Sequence, residues 1–471
     1  MLTEHQQDIS SQAISILDQS NRLIIQGSAG VGKTYLVGEL VKFLKRRYNL
    51  INSSQIYCSA PTHKAVGVLK GKVDSSIVTF ITVHSALKMK RKVDRKTGKK
   101  TYEPDYHDKY PPLKGVKLWI IDEASMVSTH LLLHIERHAS RNGCKVIFIG
   151  DNKQLNPVLE FESPVFMGMP RLVPTGHYDS LPEGAHSMRK YDDESDVVYG
   201  KPYPMVELTE IIRQGEGNPI IHLSRNLTDI SNKVDIRNDT GGFIYSDDEE
   251  KIIETLAIVN GTDKLKYLAY DNATVDRINK QVRERIYTNP VKIEKGETIV
   301  FDEPFGDFFT NEEVFVKDVL IREKLFDYMD ERVYAADDKY DSIKLKYYSI
   351  NPVIQANVDE HWNPITGEII TDKIIVIHEE SEEILSLKIK ELNAKAVRGV
   401  IPWIEFYTFE EQFAKIKYNH ALTIHKSQGS TFEKIILNMR TINYNRNPVE
   451  KERLLYTGIT RASELIILHK V

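Results

Sequence analysis

Eight residues near the start of the chain, Gly27-Ser28-Ala29-Gly30-Val31-Gly32-Lys33-Thr34, constrain the fold more than any other stretch. They stand between an apolar run, Leu23–Gln26, and a segment with the apolar spacing of a helix. The form is G-x-x-x-x-G-K-T. Its glycines let consecutive backbone N–H groups turn inward onto phosphate oxygens, and the next helix presents its positive dipole end at the same place. Lys33 can reach the β- and γ-phosphates of a nucleotide, and the Thr34 hydroxyl suits Mg2+. A strand feeding such a loop predicts an α/β chain with a parallel sheet that gathers ligands at the carboxyl ends of its strands.

Three more apolar runs fit that sheet: Gln55–Ser59, Leu118–Ile121 and Lys145–Ile149. The second ends in Asp122-Glu123, placing two carboxylates at the sheet's carboxyl edge. Asp122 can hold Mg2+ through its water shell, and Glu123 can polarise an attacking water as general base. The third ends in Gly150-Asp151-Asn152-Lys153-Gln154. Gln154 is neutral and can donate to a γ-phosphate, sensing its presence.

At 471 residues the chain is long enough for two to four domains. It is 41% hydrophobic and 28% charged, a globular composition. No apolar run reaches the roughly 18–20 residues a membrane helix needs, and the first residues lack a signal-peptide pattern. Two cysteines, Cys58 and Cys144, sit in strand-like runs without metal-ligand spacing, as expected of buried thiols in a reducing cytoplasm. The net charge of −4 does not mark a nucleic-acid binder, although a local basic track suffices for one.

One such track is present. From 86 to 101 the chain carries Lys88, Lys90, Arg91, Lys92, Arg95, Lys96, Lys99 and Lys100 against a single acid, Asp94. Thr97-Gly98 predicts a hairpin tip within it. From Glu160 to Pro204 the chain turns irregular, reading as a long surface insertion with an acidic run at Asp192-Asp193-Glu194. A second α/β pattern starts near Met205, with a strand at Leu265–Tyr270 and a helix at Ala273–Tyr287. Between about 291 and 415 the texture is β-rich, with alternation at Ser342–Ser349 and Asp372–His378 and one helix at Ser381–Ala396. After Lys417 the α/β pattern returns.

Nine ordered segments then match a family: LTEHQ (2–6), GSAGVGKT (27–34), APTHKA (60–65), TVHS (82–85), IIDEAS (120–125), GDNKQLNPV (150–158), LTEIIRQ (208–214), TIHKSQGSTF (423–432) and LYTGITRA (455–462). The chain resembles superfamily 1 helicases of the RecD-like branch, in particular the phage Dda-type enzymes. The resemblance implies two RecA-like motor domains closing on ATP. It gives motor 1 at 1–85 and 112–204, a basic pin at 86–111, motor 2 at 205–290 and 416–471, and an SH3-like insertion at 291–415. It implies that Gln6 reads the adenine and that Arg213 and Arg461 reach the γ-phosphate. Gln428 and Gly429 would approach ATP, while Lys426 and Ser427 would contact DNA phosphates. Pro61, Thr62, His63 and His84 match segments that grip the DNA backbone. The insertion's aromatics Trp362 and Trp403 suit either base stacking or a core, with the core favoured.

The function implied is ATP-dependent 5′→3′ movement on single-stranded DNA with duplex unwinding, by a monomer in the cytoplasm, that of a host cell if the source is a phage. Single-stranded DNA and duplex forks are the expected partners, with replication or recombination proteins beside them and no membrane. Two alternatives remain open from sequence. One is a translocase that strips proteins from single strands with little unwinding. The other is a loader whose ATP site is a switch, against which Glu123, Arg213 and Arg461 argue.

Overall fold

The computed structural model describes all residues except 1, 106–110, 158–159, 161, 175–186, 191–194, 211–219, 221–222, 225–242, 261–263, 307, 309, 330–339, 355–373 and 471. It divides into two compact units. The first comprises Met1–Lys90, Pro104–Tyr245 and Ser427–Leu468, and the second comprises Arg91–Glu103, Ser246–Lys426 and His469–Val471.

In the first unit, six strands form a wholly parallel sheet: β1 (Arg22–Gly27), β2 (Ile56–Ser59), β3 (Thr79–Phe80), β6 (Leu118–Ile121), β7 (Lys145–Gly150) and β11 (Met205–Leu208). Their order is β11-β1-β7-β6-β2-β3. Side chains alternate between two cores, because successive residues of a strand point to opposite faces. On one face Leu118 and Ile120 join Leu23, Ile25, Ile147 and Ile149 beneath α1 (Glu4–Gln19) and α2 (Lys33–Arg47). On the other, Trp119 and Ile121 join Ile24, Val146 and Phe148 against α5 (Thr129–Arg141). Burial on both faces explains why these strands read as continuous apolar runs. The short helices α3 (His63–Lys70) and α4 (Val83–Ala86) complete this half. The expected strands lie where they were read, within a residue at either end. The edge strand β11 begins at Met205, which pairs with Ile24, and belongs to this first unit.

The stretch from 160 to 204 holds more order than its sequence suggested. After α6 (Pro164–Met167), the strands β8 (Pro170–Pro174), β9 (Ser187–Lys190) and β10 (Ser195–Tyr199) form an antiparallel sheet in the order β8-β10-β9. Val197, Val198 and Tyr199 are buried, and the Tyr199 and Thr129 hydroxyls are 3.0 Å apart. The apolar runs are short and bracketed by prolines and acids, so the local pattern hid the strands. Further along the unit come β12 (Phe243–Ser246), β20 (Phe432–Asn438), α11 (Met439–Asn443), α12 (Pro448–Ile459) and β21 (Ala462–His469). β21 lies between β12 and β20.

The second unit contains the parallel pair β13 (Leu265–Ala269) and β19 (Ala421–Thr423), with α7 (Glu249–Val259) and α8 (Asn272–Ile286). It also contains a five-stranded antiparallel sheet of β14 (Thr298–Phe301), β15 (Glu313–Met329), β16 (Tyr340–Ile354), β17 (Ile374–Ile377) and β18 (Ile416–Tyr418). The order is β17-β16-β15-β14-β18. Two helices, α9 (Glu379–Val397) and α10 (Trp403–Glu410), bury Leu385, Leu392, Trp403 and Phe406 with Phe326 and Leu345 of that sheet. Trp403 therefore serves as core, while Trp362 lies outside the described residues.

The basic stretch is a hairpin of β4 (Met89–Val93) and β5 (Lys100–Pro104). Asp94 caps its tip by accepting from the Lys96 and Thr97 N–H groups at 3.0 and 2.6 Å. Gly98 takes a left-handed conformation, φ +69°, as the turn requires. Its charge is less free than the sequence count implied. Lys90 pairs with Asp105, Arg91 with Glu411, Lys92 with Glu103, and Lys100 lies within 3.6 Å of Glu410 and Glu411. Glu410 and Glu411 are distant in sequence, and Glu103 and Asp105 lie just past the run, so a window over the run alone could not show them.

Candidate active site

The phosphate-type loop leaves β1 at Gly27 and enters α2 at Lys33. Gly27 is confined: a Cβ there would lie 2.8 Å from Val31 Cγ2 and 3.0 Å from the Leu208 carbonyl. Gly30 and Gly32 have φ of +85° and +76°, the left-handed turns that aim successive amides to one side. Gly32 caps α2 without a side-chain hydrogen bond, so the first-turn N–H groups stay open to an anion. Lys33 Nζ donates to the Gly27 and Ser28 carbonyls at 2.7 and 2.9 Å, which holds the ammonium at the loop's mouth. Val31 is buried beneath.

Next to this loop, Asp122 and Glu123 leave the end of β6. The Asp122 N–H donates to the Ser59 carbonyl at 2.8 Å, and Asp122 Oδ1 accepts from the Glu123 N–H at 2.9 Å. Burial, with the Glu123 carboxylate beside it, pushes the Asp122 carboxyl well above the usual range, and Lys33 and Lys72 pull the other way. Glu123 is held at φ +54°, an uncommon conformation for a residue with a Cβ. Gly150 permits that turn, because a Cβ there would lie 3.0 Å from Ala124 Cβ and 3.1 Å from its nitrogen.

A cleft of about 420 Å3 brings many of the expected residues together. Ala29, Gly30, Gly32, Lys33, Thr34, Asp122, Glu123, Gln154, Gly429 and Arg461 all line it. Gln154 is buried, and its Oε1 has no hydrogen-bond partner. The buried Arg461 guanidinium donates to the Thr457 and Ser430 carbonyls at 3.1 and 3.2 Å. Gln428 Nε2 donates to the Leu155 carbonyl at 3.0 Å. Gly429, at φ +73°, passes so close to α3 that a Cβ would lie 3.1 Å from Ala65 Cβ. Gln6 is also buried; its Oε1 accepts from the Thr3 N–H at 3.3 Å in a capping box, and its Nε2 has no partner. Arg213 lies outside the described residues.

The residues expected on DNA are less uniform. Thr62 caps α3 by accepting from the Ala65 N–H at 3.3 Å, with Pro61 before it and the exposed His63 after it. His84 is half-buried in α4, and burial with nearby His130 pushes its imidazole below the usual value. In the second unit Lys426 forms an ion pair with Asp302. Ser427 is fully buried.

Four residues of this region were not singled out from sequence. Lys72 lines the cleft. Arg453, Tyr456 and Thr457 share one face of α12, and Thr457 Oγ1 accepts from the Leu155 N–H at 3.1 Å. Their i, i+3, i+4 spacing was available as a signal, but nothing local said what the face would meet.

Comparison with known proteins adds independent findings. Residues 1–164 match a family model described as an AAA domain, and residues 418–469 match one described as a UvrD-like helicase C-terminal domain. An uncharacterized protein of Acanthamoeba polyphaga mimivirus is 23% identical, with 98% of this chain and 99% of that protein covered. The ATP-dependent DNA helicase dda of Enterobacteria phage T4 is 26% identical, with 98% and 97% covered. The RecD subunit of the RecBCD enzyme from Buchnera aphidicola is 24% identical, with 98% and 72% covered. Among solved structures, a Pif1 helicase from Bacteroides in complex with ADP-AlF3 and single-stranded DNA aligns over 99% of this chain and 92% of its own, at 18% identity and a TM-score of 0.47.

Proposed function

The chain is a superfamily 1 helicase, and on that premise we propose that it couples ATP hydrolysis to 5′→3′ movement on single-stranded DNA, opening duplex as it goes. The observation that carries this reading is the single cleft in which the phosphate loop, Asp122, Glu123, Gln154 and Arg461 converge.

In this reading the open N–H groups of the loop and Lys33 receive the β- and γ-phosphates. Glu123 takes the proton of the attacking water, a step its held backbone conformation would orient. Arg461, with Arg213, neutralises charge on the transferring phosphoryl group. Gln154 offers its amide to the γ-phosphate, and Gln6 its unpartnered amide to the base. Thr34 and Asp122 fit Mg2+, because both offer oxygen atoms to the same cleft. Held by Thr34 and Asp122, Mg2+ would offset negative charge on the phosphates during transfer. Among the described residues no cluster of three or more acidic, His or Cys side chains could hold a metal alone.

The two motor domains are read at 1–85 with 112–204 and at 205–290 with 416–471. Pro61, Thr62, His63, His84, Lys426 and Ser427 are read as the strand-gripping set, and the hairpin at 86–111 as the wedge braced by the β-rich insertion at 291–415. The hairpin favours a helicase over a bare translocase, because Tyr407 Oη donates to the Gly98 carbonyl at 2.7 Å and Lys100 Nζ lies 3.8 Å from the Tyr407 ring centre. A loose charged loop would not be anchored at its tip. Replacing Met89–Lys99 by a short Gly-Ser linker tests this: ATP hydrolysis on single strands should persist while unwinding by saturated enzyme falls strongly. Normal unwinding by that variant would leave the hairpin without the wedge role.

A further inference from the structure

Helix α12 ends two residues before Arg461, and one face of it is fastened to the phosphate-loop side of the cleft by a run of hydrogen bonds. Arg453 Nη1 donates to the Gln154 carbonyl at 3.0 Å and to Asn156 Oδ1 at 2.5 Å. Thr457 Oγ1 holds the Leu155 N–H one turn on. These bonds reach only the loop that carries Gln154. Tyr456 is different, because its hydroxyl also reaches the phosphate loop. It donates to Asp151 Oδ2 at 2.6 Å and accepts from the Ala29 N–H at 3.2 Å.

The direction of this chain is fixed by chemistry. Asp151 is buried and already accepts from the Lys153 N–H at 3.0 Å through its other oxygen. Burial and that carboxylate keep the Tyr456 phenol protonated far above the ordinary tyrosine range. The phenol must therefore donate to Asp151, which leaves its lone pair for Ala29. A hydrogen bond from a neutral donor to a buried carboxylate is among the stronger kinds. One hydroxyl thus joins the outer rim of the phosphate loop, the end of β7 and the helix that leads to Arg461.

We propose that Tyr456 is a positioning residue for ATP hydrolysis, its hydroxyl setting the placement of Arg461 and Gln154 relative to the phosphate loop. The inference rests on reading the cleft as the ATP site. Tyr456 itself need not touch the nucleotide. Ground-state affinity comes from the loop's own amides and Lys33, whereas hydrolysis needs Arg461 and Gln154 at the correct distance. Loss of the hydroxyl alone should therefore act on turnover more than on binding.

The test is Tyr456→Phe, which keeps the ring and its packing. Wild type, Lys33→Ala, Tyr456→Phe, Arg461→Ala and the Tyr456→Phe/Arg461→Ala double variant are assayed for DNA-stimulated ATP hydrolysis, with melting curves as a check on folding. Tyr456→Phe should lower kcat by about tenfold while KM for ATP changes by less than about threefold. In the double variant the two losses should fall well short of multiplying, because the hydroxyl is proposed to act through the arginine. A lowered melting temperature with wild-type kcat would reduce the hydroxyl to a packing role and overturn the proposal. So would losses that multiply in full. If wild type itself failed to hydrolyse ATP, the reading of the cleft would fall. If wild type hydrolysed ATP, Lys33→Ala did not, and Tyr456→Phe matched wild type, only the role of Tyr456 would fall.

Discussion

Trp403 lies flat over Gly98: a Cβ added to the glycine would sit 2.4 Å from Cδ2 and Cε2 of the indole. The hairpin tip and α10 of the β-rich insertion meet here with no room for a methyl group. Gly98→Ala adds strain twice, by the clash and by the left-handed φ of +69°. It should cost on the order of 1–3 kcal/mol at this contact. If the hairpin is the wedge, duplex unwinding should drop while DNA-stimulated ATP hydrolysis stays within about twofold of wild type. Parallel ATPase and strand-displacement measurements check this, and an equal loss in both would point to general unfolding instead.

Glu123→Gln should still bind ATP and DNA but turn over slowly, because the amide keeps the shape and loses the base. A general base is typically worth about 10²–10⁴-fold. A single-turnover assay with saturating ATP reads this directly. Undiminished turnover would mean that another group activates the water.

Arg461→Ala should lower turnover of bound ATP far more than ATP affinity, by at least about a hundredfold for an arginine of this kind. The guanidinium is buried and held by two carbonyls at the cleft wall, so it is placed before substrate arrives. Nucleotide titration beside steady-state hydrolysis separates the two effects. A collapse in affinity with normal turnover would make the arginine a ground-state ligand.

A stability prediction comes from the second unit. His420 is buried, and burial, with Lys266 and Arg283 nearby, pushes its imidazole down to about 3 from an ordinary 6.5. The folded state therefore keeps the ring neutral where the unfolded chain would protonate it. The stability this preserves is complete above about pH 6.5 and declines as pH falls from there toward 3. Between pH 6.5 and 5 the loss should approach roughly 2 kcal/mol. His420→Gln should lose less stability over that interval than wild type. Identical pH dependence of the melting curves would remove His420 as the cause.

Much of the lining of the candidate cleft was legible in the sequence because its signals are local. An apolar strand, the turn after it and the acid or glycine that the turn needs lie within a dozen residues of each other. Asp122 and Glu123 followed Leu118–Ile121 where a buried parallel strand must end, and β1, β6 and β7 stand where they were read. What escaped was set by partners far along the chain. Arg91 and Lys100 looked like free cations because Glu410 and Glu411 lie more than three hundred residues on. Tyr456 was not singled out, because the groups its hydroxyl meets, Asp151 and Ala29, lie about three hundred residues or more away in sequence. The strands of the 160–204 stretch were hidden for a different reason. Antiparallel pairing supplies their stability, and a short apolar run carries little sign of it.

An ATP-driven motor that opens DNA from a 5′ tail should reveal itself in strand displacement on tailed duplexes. Two substrates share one duplex and differ only in whether the single-stranded tail is 5′ or 3′. With ATP and Mg2+ present, the 5′-tailed substrate should be separated, the 3′-tailed one should not, and Lys33→Ala should separate neither. Preferential opening of the 3′-tailed substrate would contradict the direction, and no ATP-dependent separation of either would contradict the helicase itself.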